Sequence, residues 1–261
     1  MTIEINKLGF AYPEAGFDLK LDHLVLADRL TAFIGQNGAG KSTLLKLLSG
    51  LLDLQEGQVT VDGEDLGQYL AQDRIKKVGY TFQDPNDQIF NATVAKEVAW
   101  GLKKLGLPEA AIKDQTDQAL KAVGLEGSQE KNPYDLSLSE KKLLTIATVL
   151  AIDPEIYLFD EPMMSLDYPS RQRVTRIFKQ LEARGRQLIV ITHDMDWLAR
   201  QCERVNVMNH GRLIFSGAVS NLFAQSDLVE KIGVLPPRVY SLSQMLGIDP
   251  PFLSLKQAED R

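Results

Sequence analysis

The stretch Gly35-Gln36-Asn37-Gly38-Ala39-Gly40-Lys41-Ser42 decides the fold. It reads G-x-x-x-x-G-K-S and is followed by Thr43, Leu44 and Leu45. The apolar run Leu30–Ile34 leads in, and Leu44, Leu45, Leu47 and Leu48 continue at helical spacing behind it. Strand, glycine loop and helix in that order make a phosphate-binding loop. The glycines let backbone N–H groups turn inward toward phosphate oxygens. The helix start adds roughly half a positive charge at its N-terminus. Lys41 is expected to reach the β- and γ-phosphates, and the Ser42 hydroxyl to ligate Mg²⁺. Gly35, Asn37, Gly38, Gly40 and Thr43 complete the expected nucleotide contacts.

Composition narrows the class. The chain has 261 residues, 44% hydrophobic and 25% charged, the balance of an ordinary globular protein. Its net charge of −6 argues against a duplex nucleic-acid binder, which needs a basic face. No run approaches the ~20 apolar residues of a membrane span. Met1–Asn6 lacks the basic and apolar regions of a leader, so a cytoplasmic protein is expected. The single cysteine, Cys202, rules out an internal disulfide and a cysteine-built metal site, and is expected to be a small buried or half-buried side chain.

Outward from the loop, Ile3, Ile5 and Leu8 alternate with polar residues, as do Leu19, Leu21 and Leu24. These predict antiparallel strands with one wet face. Tyr12, just before Pro13, either stacks on adenine or only covers the core; position alone does not choose. Gly57–Gly63 predicts a strand closed by an Asp-Gly turn, and Ile75–Phe82 a further strand ending at Gln83. Thr93–Lys104, Glu109–Val123 and Glu140–Leu150 carry helical spacing and predict a helical subdomain, about residues 84–150, inserted into an α/β core. The core resumes with Ile156–Asp160, an apolar run between Pro154 and Pro162 that suits a strand buried on both faces. A helix over Ser170–Arg184 and a strand over Gln187–Thr192 follow. Arg204–Met208 and Arg212–Phe215 form a hairpin around His210-Gly211, and the pattern is helical from about Gly217, with a break at Leu235-Pro236-Pro237. Gln257–Arg261 are polar and expected to fray.

Asp160 ends its strand where ligands bind in parallel sheets, and can hold Mg²⁺ opposite Ser42. Glu161, the next residue, is placed to orient and polarise an attacking water. His193 closes the neighbouring strand and can contact the γ-phosphate. Gln83 can touch Mg²⁺ or water and report nucleotide state to the helical insert. His23 and His210 have no such context.

These motifs, in this order, resemble an ATP-binding-cassette ATPase over residues 1–215. The resemblance makes Tyr12 the adenine-stacking aromatic, Gly35–Ser42 the Walker A loop, Gln83 the Q-loop and Ile156–Asp160 Walker B. It makes Glu161 the catalytic glutamate, Met164–Asp167 the D-loop and His193 the switch histidine. Gln83–Phe90, Thr93-Val94 and Glu97–Gly101 resemble more closely the ATPases of energy-coupling-factor importers of vitamins and of cobalt or nickel. The tail, with Gly217, Phe223, Gly233, Pro236-Pro237 and Leu246-Gly247, does so too. The resemblance implies ATP and Mg²⁺ as ligands and a second ATPase as partner. It also implies a transmembrane coupling subunit with a substrate-binding membrane subunit, no nucleic acid, and a peripheral position on the cytoplasmic face of the membrane. Residues 84–90 would line the groove that receives coupling helices, and the extension 216–261 would help hold two ATPases together. Asp84 and Asp87 either suit arginines on an incoming helix or form a solvated acidic turn.

One motif departs from the family. The signature Leu-Ser-Gly-Gly-Gln stands here as Leu136-Ser137-Leu138-Ser139-Glu140. Ser137 remains as a phosphate contact, but Leu138 adds bulk where close approach wants glycine. Glu140 puts a negative charge near an anion. The expectation is a weak or non-hydrolytic half-site and therefore a heterodimer. A regulatory cassette with little turnover, or a soluble repair or translation ATPase, is the alternative.

Overall fold

The computed structural model describes residues 1–13 and 16–259. Strands are β1 (Ile3–Tyr12), β2 (Phe17–Leu26), β3 (Leu30–Ile34), β4 (Glu56–Val61), β5 (Glu64–Asp65), β6 (Val78–Thr81), β7 (Ile156–Asp160), β8 (Gln187–Ile191), β9 (Arg204–Asn209) and β10 (Arg212–Ala218). Helices α1 (Lys41–Ser49), α2 (Ala71–Lys77), α3 (Val94–Lys104), α4 (Glu109–Val123), α5 (Leu138–Ile152), α6 (Tyr168–Ala183) and α7 (Met195–Gln201) are interleaved with them. The tail adds α8 (Val219–Phe223), α9 (Ser226–Lys231), α10 (Arg238–Met245) and α11 (Leu255–Glu259). The residues group into two compact units. One holds Met1–Leu44, Leu54–Gly63 and Val190–Arg261; the other holds Leu45–Asp53 and Glu64–Ile189.

In the first unit the strands run in the order β4-β1-β2-β10-β9-β3. β1 pairs antiparallel with both β2 and β4, with Ile5 opposite Leu24 and Val59. The side chains of Ile3, Ile5 and Leu8 are buried with Leu19, Leu21 and Leu24, the apolar half of the alternation. β3 pairs parallel to β9 and is buried along its whole length, as a strand covered on both faces must be. The hairpin β9–β10 turns at His210-Gly211, both in left-handed backbone. Cys202 is buried at the end of α7.

In the second unit β6 and β7 pair in parallel, Thr81 opposite Phe159. β7 is wholly buried. α3, α4 and α5 follow the predicted spans closely. α3 is capped by Thr93, whose hydroxyl accepts from the Lys96 N–H, and α4 closes on left-handed Gly124. One expectation fails: Ile75–Lys77 are the end of helix α2, and β6 begins only at Val78. Asp73 in the first turn and Arg74, Lys76 and Lys77 in the last suit the helix dipole, which a lone Ile75 in a charged run does not override. In the tail, α11 extends to Glu259; Asp260 and Arg261, part of the expected frayed end, lie outside the described residues.

Candidate functional site

In the first unit the loop Gly35–Ser42 leaves β3 and enters α1 as the sequence requires. Gly35, Gly38 and Gly40 all have positive φ, at 139°, 77° and 98°. A side chain at Gly35 would overlap the Met208 carbonyl oxygen, and one at Gly40 would come within 2.8 Å of the Phe17 ring. The glycines are therefore required by packing as well as by backbone angle. Gly35→Ala is expected to destabilise the fold by about 3 kcal/mol or more, measured by urea unfolding. An unchanged unfolding midpoint would show that this close approach does not constrain the loop. Lys41 is buried, and its ammonium donates to the carbonyls of Gly35 (2.6 Å) and Gln36 (2.9 Å). The amine is thus folded back over the loop, the place from which a bound phosphate would draw it. Ala39 O accepts from the Gly211 N–H at 3.1 Å, so the β9–β10 turn buttresses the loop. Ser42 and Thr43, in the first turn of α1, are half-exposed, and Asn37 and Gly38 are exposed.

Tyr12 and His193 belong to the same unit. Tyr12 packs edge-on against Phe10 at 4.9 Å and lies 6.3 Å from Phe17, whose ring in turn limits Gly40. His193 is exposed between two fixed residues. The Thr192 N–H donates to Phe33 O at 3.3 Å, and Asp194 caps α7 by accepting from the Trp197 N–H at 2.8 Å. The histidine therefore leaves β8 beside the strand that feeds the phosphate loop.

The second unit carries Gln83, Ser137, Asp160 and Glu161. Asp160 ends β7 and is 1% exposed. Its Oδ2 accepts from the Tyr80 hydroxyl at 3.2 Å, and its Oδ1 has no hydrogen-bond partner among the described residues. A buried carboxylate oxygen without a donor is costly. A hard divalent cation offsets that cost, and Mg²⁺ commonly takes only one or two protein carboxylates beside substrate phosphates, so the donor fits Mg²⁺. Glu161 is buried, at φ 50°, a strained conformation for a non-glycine residue. Gln83 is exposed just past β6.

Ser137 is the N-cap of α5, within a capping box. The Glu140 carboxylate accepts from the Ser137 N–H at 2.8 Å and its hydroxyl at 2.7 Å, while Ser137 Oγ accepts from the Glu140 N–H at 3.3 Å. The Ser137 hydroxyl, then its N–H, hold the Glu140 carboxyl below the usual carboxylate range. Donors at this helix start already face an anion of the chain's own.

Beside it stands a residue that the sequence reading missed. Lys142 is fully buried, and its ammonium donates to Phe82 O (2.9 Å), Gln83 O (2.7 Å) and Asp160 O (3.2 Å). Burial pushes its pKa down to about 8, against the pull of Asp160, Glu161 and Asp84. The available signal was its phase: Lys142 shares a helix face with the buried Thr145, Ile146 and Val149.

The segment after Gln83 forms a one-turn 3₁₀ helix, Pro85–Asp87, capped by Asp84, which accepts from the Asn86 N–H at 2.8 Å. Gln88 ties it to α5 by donating to Thr148 Oγ1 at 2.8 Å. Buried Glu97 accepts from the N–H groups of Phe90 and Asn91. A cavity of about 270 Å³ lies alongside, lined by Tyr80, Phe82, Phe90, Trp100 and Val149 among others. Phe90 and Trp100 meet edge-on at 5.2 Å yet remain 58% and 42% exposed.

The "ABC transporter" family profile matches residues 20–164. The chain is 38% identical over 243 residues to the energy-coupling factor transporter ATP-binding protein EcfA of Carboxydothermus hydrogenoformans, covering 93% of this chain and 90% of that one. It is 36% identical to the EcfA of Methanothermobacter thermautotrophicus, covering 94% and 79%. The solved structure of cbiO1 from Clostridium perfringens, described as part of the ABC transporter complex cbiONQ, superposes with a TM-score of 0.75. It shares 29% identity and covers 94% of this chain and 98% of that one. The α/β architecture, the phosphate loop and these similarities agree: the chain belongs to the ABC transporter family and is an ATP-binding ATPase of the energy-coupling-factor type.

Proposed function

We propose that the chain hydrolyses ATP to drive an energy-coupling-factor importer of a vitamin or transition-metal ion, paired with a second, different ATPase. The observation that carries the pairing is the capping box. Lys41, Asp160 and Glu161 are present and buried, yet the Ser137 donors are engaged by Glu140 within the same helix start. Such a chain supplies a good Walker face and a poor signature, so it needs a partner with an intact one. A regulatory cassette with little turnover is the second reading, favoured by the same box and by exposed Leu138.

On this reading Gly35–Thr43 hold the triphosphate and Tyr12 stacks on adenine. Ser42, Gln83 and Asp160 would hold Mg²⁺, which would supply charge neutralisation for the phosphates. Glu161 orients the attacking water, His193 contacts the γ-phosphate, and Ser137 faces the partner's nucleotide. Residues 1–215 form the nucleotide-binding domain, with the helical part at about 84–150. Residues 216–261 form an extension whose exposed Leu242, Met245 and Leu246 suit contact with the second ATPase. Among the described residues no helix is long and apolar enough to cross a membrane, so attachment would be peripheral, at the cytoplasmic face, through membrane subunits. Phe90, Trp100 and the cavity beside them suit a helix of the coupling subunit, with Asp84 and Asp87 for its basic residues.

The test is a mild-detergent pull-down of the tagged chain from native membranes, with mass spectrometry. Recovery of a different ATPase with integral membrane proteins supports the proposal; recovery alone or with soluble partners defeats it. Trp100→Ala is expected to weaken capture of the membrane subunit by about tenfold or more, as loss of an interface aromatic does. ATP binding should be unchanged. Capture at the wild-type level would remove this cavity as the docking place.

A further inference from the structure

The ends of β6 and β7 raise a question of geometry. The two strands pair in parallel only as far as Thr81 and Phe159. Beyond that point the β6–β7 ladder no longer sets the spacing between Gln83 and the Asp160-Glu161 end of β7. The carbonyls of Phe82, Gln83 and Asp160 lie past its end, and all three accept from Lys142 Nζ at 2.7–3.2 Å. An ammonium has three N–H donors, so each is matched by one carbonyl. The carboxylates of Asp160, Glu161 and Asp84 attract the amine, but the hydrogen bonds it makes all go to backbone oxygens. A fully buried cation that engages three backbone oxygens rather than an ion pair is an expensive way to fill a core. What the arrangement supplies is spacing: one atom fixes the backbone of two strand ends.

We propose that Lys142 is a positioning residue for ATP hydrolysis, its ammonium holding the backbone at Gln83 and Asp160 in the geometry that the metal and the attacking water require. The role rests on the assignment of Gln83 and Asp160 to Mg²⁺ made above. The hydrogen bonds of Lys142 are spent on backbone carbonyls, so its role does not need contact with nucleotide or metal. It acts through the backbone of the residues that make such contact, as outer-shell partners of metal ligands do elsewhere. Because Lys142 lies on α5, little more than one turn from the Ser137–Glu140 box, the same rigid helix also joins the signature to these strand ends.

The test uses the chain assembled with its native partners. Lys142→Met keeps most of the length of the side chain and removes all three donors. It is expected to lower kcat about 10–100-fold and to raise the half-saturating Mg²⁺ concentration about tenfold, with the KM for ATP within about threefold of wild type. Lys142→Gln, which keeps two N–H donors, is expected to recover part of both losses. Asp160→Asn is the reference. If it raises the Mg²⁺ requirement and Lys142→Met does not, the positioning role is overturned. If Asp160→Asn leaves the Mg²⁺ requirement unchanged, the metal assignment falls, and the positioning role with it. Equal losses of ATP binding and turnover, or failure of both Lys142 variants to fold, would assign the amine to stability alone and overturn the proposal.

Discussion

Glu161→Gln is expected to cut ATP turnover of the assembled complex by about 10²–10⁴-fold, the usual worth of a positioned general base. ATP binding should survive. The substitution is nearly isosteric, so the left-handed turn after β7, in which Met164 N–H donates to Glu161 O at 3.2 Å, has no reason to change. What disappears is the acceptor for a proton. A carboxylate at this point is only 7% exposed, which limits competition from bulk water. Phosphate release and equilibrium ATP binding, measured on the same preparation, separate the two effects. Turnover above about a tenth of wild type would show that this Walker face is not the one that hydrolyses ATP.

The second large effect concerns the chain by itself. Without a partner it is expected to hydrolyse ATP about 10²-fold more slowly than the assembled complex, the cost of losing one oriented donor to a developing charge. The reason is local. At the start of α5 the Ser137 hydroxyl and N–H are bonded to Glu140, and Leu138 stands exposed where a glycine backbone would approach phosphate. Two such chains facing each other would offer two good phosphate loops and no free signature. The rate of the purified chain should therefore stay flat as its concentration rises, and climb when the second ATPase is added. Brisk, cooperative hydrolysis by the chain alone would defeat the heterodimer.

Much of the architecture was legible because periodicity speaks clearly for long or fully buried elements. Helices α3–α6 and strands β3, β7 and β8 were found close to their observed spans. The α2–β6 junction was misread because Lys76 and Lys77, between Ile75 and Val78, look to an apolar count like the polar half of a strand. The candidate residues at strand ends, Asp160 and Gln83, could be located from the run that precedes them. Lys142 could not, since a cation on a helix is normally solvated and only three-dimensional closure reveals which carbonyls it meets. The Gln88–Thr148 bond was hidden for the same reason: its partners are 60 residues apart.

The buttress beneath the phosphate loop has a consequence for synthesis. The loop is encoded near the start of the chain, but its backbone is set by Met208 O against Gly35 and by the Gly211 N–H on Ala39 O. A nascent chain carrying only the first half of the sequence has the loop and none of these supports. Contacts so distant in sequence form slowly, so nucleotide capture is expected only after about residue 211 has left the ribosome. Truncations before the β9–β10 turn should then emerge unable to retain ATP, and ATP protection during translation would act as a clock for completion of the first unit.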